Sequence, residues 1–95
     1  MIVINAEFYI IPEQKQQFLN EISELIKESR KEEGCLSYQI YQAVTDENNF
    51  VMVEKWENPQ AIELHNTMSH LQKFAKKVPN YSRKAPQITV SLVKD

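Results

Sequence analysis

Ninety-five residues, 42% of them hydrophobic and 25% charged, describe one small domain spanning 1–95 with too much apolar content for disorder and only a thin core. A formal net charge of -2 leaves no basic stripe for nucleic acid; Lys73, Lys76 and Lys77 cluster, but acidic residues are spread through the rest. The lone Cys35 excludes an intrachain disulfide, and neither a leader nor an apolar run near the ~20 residues of a membrane span is evident. The expectation is a cytoplasmic protein with no nucleic-acid or membrane partner.

Ile2 to Ile11 is rich in Ile, Val, Phe and Tyr and predicts a strand. Its even positions, Ile2, Ile4, Ala6, Phe8 and Ile10, are wholly apolar; its odd positions, from Val3 through Asn5 to Ile11, are mixed. Pro12 suits the first turn of a helix, where its missing N–H has no partner to lose. Phe18, Leu19, Ile22, Leu25 and Ile26 follow at helical spacing, and Gly34, the only glycine, stands where a helix stop needs a left-handed residue. Cys35–Ala43 and Phe50–Glu57 read as two strands of a hairpin joined by the polar turn Thr45–Asn49. Asn58-Pro59 caps and starts a second helix. That helix is predicted to break near Asn66-Thr67-Met68 and to restart through a Ser69-x-x-Gln72 capping box. Pro79-Asn80 is expected to end it, Ser82–Pro86 to form a connector, and Gln87–Val93 to form the last strand. The order β-α-β-β-α-β predicts an α+β, ferredoxin-like fold: an antiparallel sheet with its helices on one face.

Three stretches carry a resemblance. Glu33-Gly34-Cys35-Leu36-Ser37-Tyr38 looks like a Glu-x-Gly-Cys run. Glu54-Lys55-Trp56-Glu57 looks like a Glu-x-Trp-Glu strand end. His65-Asn66-Thr67-Met68-Ser69-His70-Leu71-Gln72-Lys73-Phe74 looks like a paired-histidine segment ending in Phe. In this order the chain resembles the antibiotic-biosynthesis monooxygenase (ABM) family over nearly its whole length. The resemblance implies a homodimer whose two sheets close into a dimeric α/β barrel, with a small-molecule pocket between each sheet and its helices. The family includes cofactor-free quinol monooxygenases, oxygenases of aromatic polyketides, haem-degrading enzymes and an isomerase of phosphorylated autoinducer-2.

His65 is the candidate catalytic residue, because a histidine beside a helix break can exchange a proton near neutral pH. The bland alternative is a histidine that fixes the kink. His70 points either into the same pocket or only to the helix start. Trp56 is either a core residue or a wall that stacks on a flat substrate. Asn5, Met52 and Phe74 complete the expected substrate-binding set, Asn5 because a buried amide in an apolar strand needs a partner or faces a cavity. Glu54 competes with His65 as a base if it is buried, since burial raises a carboxyl pKa. Cys35 reads as a small buried residue.

No cofactor and no metal are expected. There is no glycine-rich phosphate loop, the two histidines lack a supporting carboxylate at useful spacing, and the haem histidine of the related enzymes falls near Ala75. The expected function is cofactor-independent monooxygenation of a quinol or similar phenol by deprotonation and direct reaction with O2. The alternatives are an isomerase acting on a small metabolite and a non-catalytic, ligand-binding stress-response dimer.

Overall fold

A computed structural model describes residues 1–94. The strands are β1 (Ile2–Ile10), β2 (Cys35–Gln42), β3 (Asn49–Trp56) and β4 (Ser82–Leu92). The helices are α1 (Lys15–Ser29), α2 (Pro59–Thr67) and α3 (Ser69–Tyr81), and a short 3-10 turn at Pro12–Gln14 leads into α1. The strands form one antiparallel sheet in the order β2-β3-β1-β4, so the α+β ferredoxin-like expectation holds.

The sheet is open. β2 and β4 are its two edges, with no pairing between them, and the closed dimeric α/β barrel expected from the resemblance is not formed. An open four-stranded sheet buries its apolar face under helices instead of curling onto itself. Among the described residues no helix is long and apolar enough to cross a membrane.

Strand alternation sets the core. The even residues of β1 and β3 face the helices: Ala6, Phe8 and Ile10 pack with Phe50, Met52 and Trp56. The α1 stripe meets them through Phe18, Ile22, Leu25 and Ile26, all buried. Phe18 is the hub, with ring centroids 5.4 Å from Phe8, 5.2 Å from Phe50 and 6.2 Å from Phe74. Gly34 holds φ at +88°, and a Cβ there would lie 2.6 Å from Ala61 Cβ, so this glycine lets the turn before β2 press against α2.

The break between the last two helices is present, but its chemistry differs from expectation. Asn58 caps α2 by accepting from the Ala61 N–H at 2.9 Å. The cap of α3 is Met68, not Ser69, and no side chain caps it; Gln72 Nε2 instead donates to the Asn66 carbonyl at 3.3 Å. Pro79 does not end α3, which runs on to Tyr81. Tyr81 is buried and packs on Phe18, which holds the last turn despite the missing proline N–H. The expected 82–86 connector is absent, because Ser82 already pairs with Ile10 and β4 begins there.

β4 is the exposed part of the apolar side. Ile88, Val90 and Leu92 pair with Ala6, Ile4 and Ile2, so they share the helix-facing side, yet each stays more than half exposed.

Candidate functional site

Between the sheet and the helices lies a cavity of about 500 Å³. Its floor is apolar: Ile4, Ala6 and Phe8 from β1, Met52 from β3, and Ile88 and Val90 from β4. Its roof is Ile22 and Leu25 of α1, Ile62 of α2, and Leu71, Phe74 and Val78 of α3. The polar groups on the wall are Tyr38, Glu54, His65 and Asn66, and among the described residues no Lys or Arg lines it. Such a cavity takes a small, largely apolar molecule and orients it through a few polar atoms.

Glu54 reaches the cavity because it shares the helix-facing register of β3 with Met52 and Trp56. It is 8% exposed, and its Oε1 accepts from Trp56 Nε1 at 3.0 Å. Burial pushes its carboxyl up to about 7; the Trp56 N–H opposes the rise, the negative charge of Glu32 adds to it, and the Tyr38 hydroxyl opposes it. The Tyr38 hydroxyl is itself raised, first by burial and then by the Glu54 charge, so it stays neutral.

His65 sits in the last turn of α2 and is 3% exposed. Its ring is wedged between Trp56, centroids 4.6 Å apart, and Tyr38, 5.6 Å apart. Its Nδ1 lies 2.7 Å from Glu32 Oε2, and its Nε2 is buried with no hydrogen-bond partner. Burial lowers its pKa, Glu32 pulls it back up, and neighbouring His70 lowers it further. Burial thus favours the neutral ring. A neutral imidazole bonded to an acceptor-only carboxylate carries its proton on Nδ1, which leaves the Nε2 lone pair available as a base.

The helix break resolves His70. It lies in the first turn of α3, with its ring 6.1 Å from that of His65, and its Nε2 reaches the same Glu32 Oε2 at 2.7 Å. Glu32 is thus a carboxylate whose side chain is 5% exposed, shared by two histidines, with Oε1 buried and unpartnered. The stated reason for expecting no metal, the lack of a carboxylate beside the histidines, fails here: the α1–β2 connection delivers one from 33 residues upstream.

Of the expected site residues, His65, Met52 and Phe74 line the cavity. Trp56 and His70 do not; Trp56 is fully buried behind the wall, where it braces both His65 and Glu54. Asn5 is brought nowhere near. It lies at an odd position of β1, exposed on the opposite face of the sheet, because side chains alternate along a strand. Cys35 is half-buried, and burial and nearby carboxylates raise its thiol pKa, which disfavours the thiolate. Glu32 is the residue the sequence reading missed. The sequence carries a signal for it: Glu32 is the first residue of Glu32-Glu33-Gly34-Cys35, which has the Glu-x-Gly-Cys spacing that a run starting at Glu33 lacks.

The family model described as antibiotic biosynthesis monooxygenase matches residues 1–77. The chain belongs to the antibiotic biosynthesis monooxygenase family. YcnE of Bacillus subtilis (strain 168) is 42% identical over 77 residues, 81% of each chain. A conserved protein from Methanosarcina mazei Go1 superposes with a TM-score of 0.94 at 28% identity, covering 98% of this chain and 92% of that one. Rv0793 from Mycobacterium tuberculosis shares the fold with a TM-score of 0.93 at 21% identity, covering 99% and 95%. The family match includes Glu32, Glu54, His65 and His70, so every polar residue of the site lies inside the matched segment.

Proposed function

We propose that the protein oxygenates a small quinol or related phenol without a bound cofactor. The observation that carries this reading is an apolar cavity whose wall holds two titratable groups with pKa values moved in opposite directions, Glu54 up and His65 down. Such divergence separates an acid from a base at one pH.

In this reading His65 Nε2 takes the phenolic proton. Glu32 holds Nδ1–H and stabilises the imidazolium that forms, the role a buried carboxylate plays behind a histidine base. The phenolate gives one electron to O2, the resulting radical pair joins at a ring carbon as a peroxide anion, and the His65 imidazolium returns its proton to make the hydroperoxide. His65 Nε2, neutral again, removes the ring C–H proton as the O–O bond breaks, the departing oxygen takes a proton from Glu54 and leaves as water, and the proton on His65 then restores Glu54 by way of solvent. One oxygen atom enters the ring and the other becomes water, so a hydroquinone and O2 yield a hydroxyquinone and H2O. The apolar wall keeps bulk water from the reactive anion.

The lack of Lys or Arg in the lining argues against a phosphorylated substrate and so against the isomerase alternative. A second copy of the chain is part of the proposal, because Ile88, Val90 and Leu92 leave apolar surface open at the β4 edge. The test is a hydroquinone panel reacted under 18O-labelled O2. Incorporation of a single labelled atom into the product supports monooxygenation. Product without label, or no turnover on any member, contradicts it.

A further inference from the structure

Glu32, His65 and His70 each offer one ligand atom, and these atoms all lie within 4.8 Å of one another; Glu32 Oε2 is 2.7 Å from both His65 Nδ1 and His70 Nε2. We infer that these three residues form a binding site for a borderline divalent cation such as Zn2+ or Co2+, and that an occupied site and a proton-accepting His65 exclude one another.

The donor set favours that class of ion. Two imidazole nitrogens and one carboxylate suit Zn2+, Co2+ and Ni2+, whereas Mg2+ and Ca2+ prefer oxygen ligands throughout. Three protein ligands leave a coordination position open, as in zinc sites that bind an exogenous ligand. The present N···O separations of 2.7 Å are hydrogen-bonding distances. Around a tetrahedral ion with ligand bonds of about 2.0–2.1 Å they widen to about 3.3 Å. Glu32 makes that shift from a connecting segment between α1 and β2, not from within a helix or strand. Its Oε1, buried and unpartnered, is a further donor atom beside the three. His70, with its side chain 21% exposed, is the partly open end of the cluster and the route of entry.

Binding reverses the tautomers. A metal on His65 Nδ1 moves that ring's proton to Nε2, and a metal on His70 Nε2 moves its proton to Nδ1. His65 Nε2 then carries an N–H and cannot accept a proton. The metal site stands on the cluster alone; the loss of activity on binding rests on the proposed role of His65.

Chelator-stripped protein is titrated with Co2+ and Zn2+ at neutral pH and followed by Co2+ ligand-field absorption, calorimetry and 15N shifts of the imidazole rings. The expected result is one ion per chain, with metal on His65 Nδ1 and His70 Nε2. Folded Glu32→Gln and His70→Gln each weaken binding by about 100-fold, the upper end of what loss of even a supporting group costs. No saturable binding, or binding that neither substitution weakens, overturns the site. If a variant does not fold, the wild-type ring shifts decide: rings unchanged at saturation place the metal elsewhere and overturn the site. In the O2 assay Zn2+ is expected to inhibit with its binding affinity. Binding at both rings without inhibition supports the site and overturns the exclusion, which separates this test from that of the reaction itself.

Discussion

Glu54→Gln is expected to make the protein more stable in alkali while removing a group the reaction needs. Glu54 ionises near 4.5 in the unfolded chain and near 7 in its buried setting. Below 4.5 both states hold the proton and the residue costs nothing. As pH rises from 4.5 through about 7, the unfolded chain ionises first, so stability is lost across that window and the loss is complete above it. A rise of that size corresponds to about 3 kcal/mol. Glutamine keeps an oxygen for Trp56 Nε1, so the hydrogen bond survives while the titration does not. The assay is urea unfolding at fixed protein concentration, at pH 4.5 and pH 8.5, for both proteins. Other titrating groups are common to the pair and cancel in the difference. Between those pH values the wild type should lose roughly 2–3 kcal/mol relative to the variant. Parallel pH dependences, or a wild type that gains on the variant as pH rises, would refute a Glu54 held protonated by burial.

Other expectations follow from the same geometry. Glu32→Gln keeps a hydrogen-bonding side chain but loses the charge behind His65; turnover should fall by about 10–100-fold with little change in KM, and imidazole 15N shifts should show His65 losing its fixed tautomer. Gly34→Ala must hold φ at +88° and place a methyl 2.6 Å from Ala61 Cβ, so a thermal melt should show a loss of about 1–3 kcal/mol. A melt unchanged from wild type would refute the close approach of that turn to α2. Light scattering at micromolar concentration should give twice the 11.2 kDa chain mass, with a Val90→Lys variant shifted toward monomer; a monomeric wild type would refute a second copy at the β4 edge.

Much of the fold was legible because one-dimensional periodicity carries it. The even face of β1 and the Phe18–Ile26 stripe of α1 predict their own burial, and Asn58 caps α2 as its residue type suggests. What failed depends on tertiary context. Pro79 and Ser69 look like helix boundaries, but the packing of Tyr81 carries α3 past the first, and the extended backbone of Met68 takes the cap from the second. Asn5 was placed in the site for its polarity, although its odd position already assigned it to the other face. The barrel came from the resemblance, not from these residues, and the sheet is open. The paired-histidine segment points to His65, and the fold places that residue on the cavity wall. Its dependence on Glu32 was not legible, since residues 33 apart meet only when the α1–β2 turn folds against the break between α2 and α3.

In the proposed reaction His65, held by Glu32 on the wall of an apolar cavity, takes the proton that makes a phenol reactive toward O2. The most direct measurement is O2 uptake on a panel of hydroquinones, corrected for autoxidation, comparing wild type with His65→Gln confirmed folded by circular dichroism. Loss of a general base typically costs ~10²–10⁴ in rate. Wild type should take up O2 above the uncatalysed rate on at least one member, and the variant should show a fall of that size. Uptake in His65→Gln equal to wild type would contradict the role of His65, and no uptake by wild type on any member would contradict the oxygenase itself.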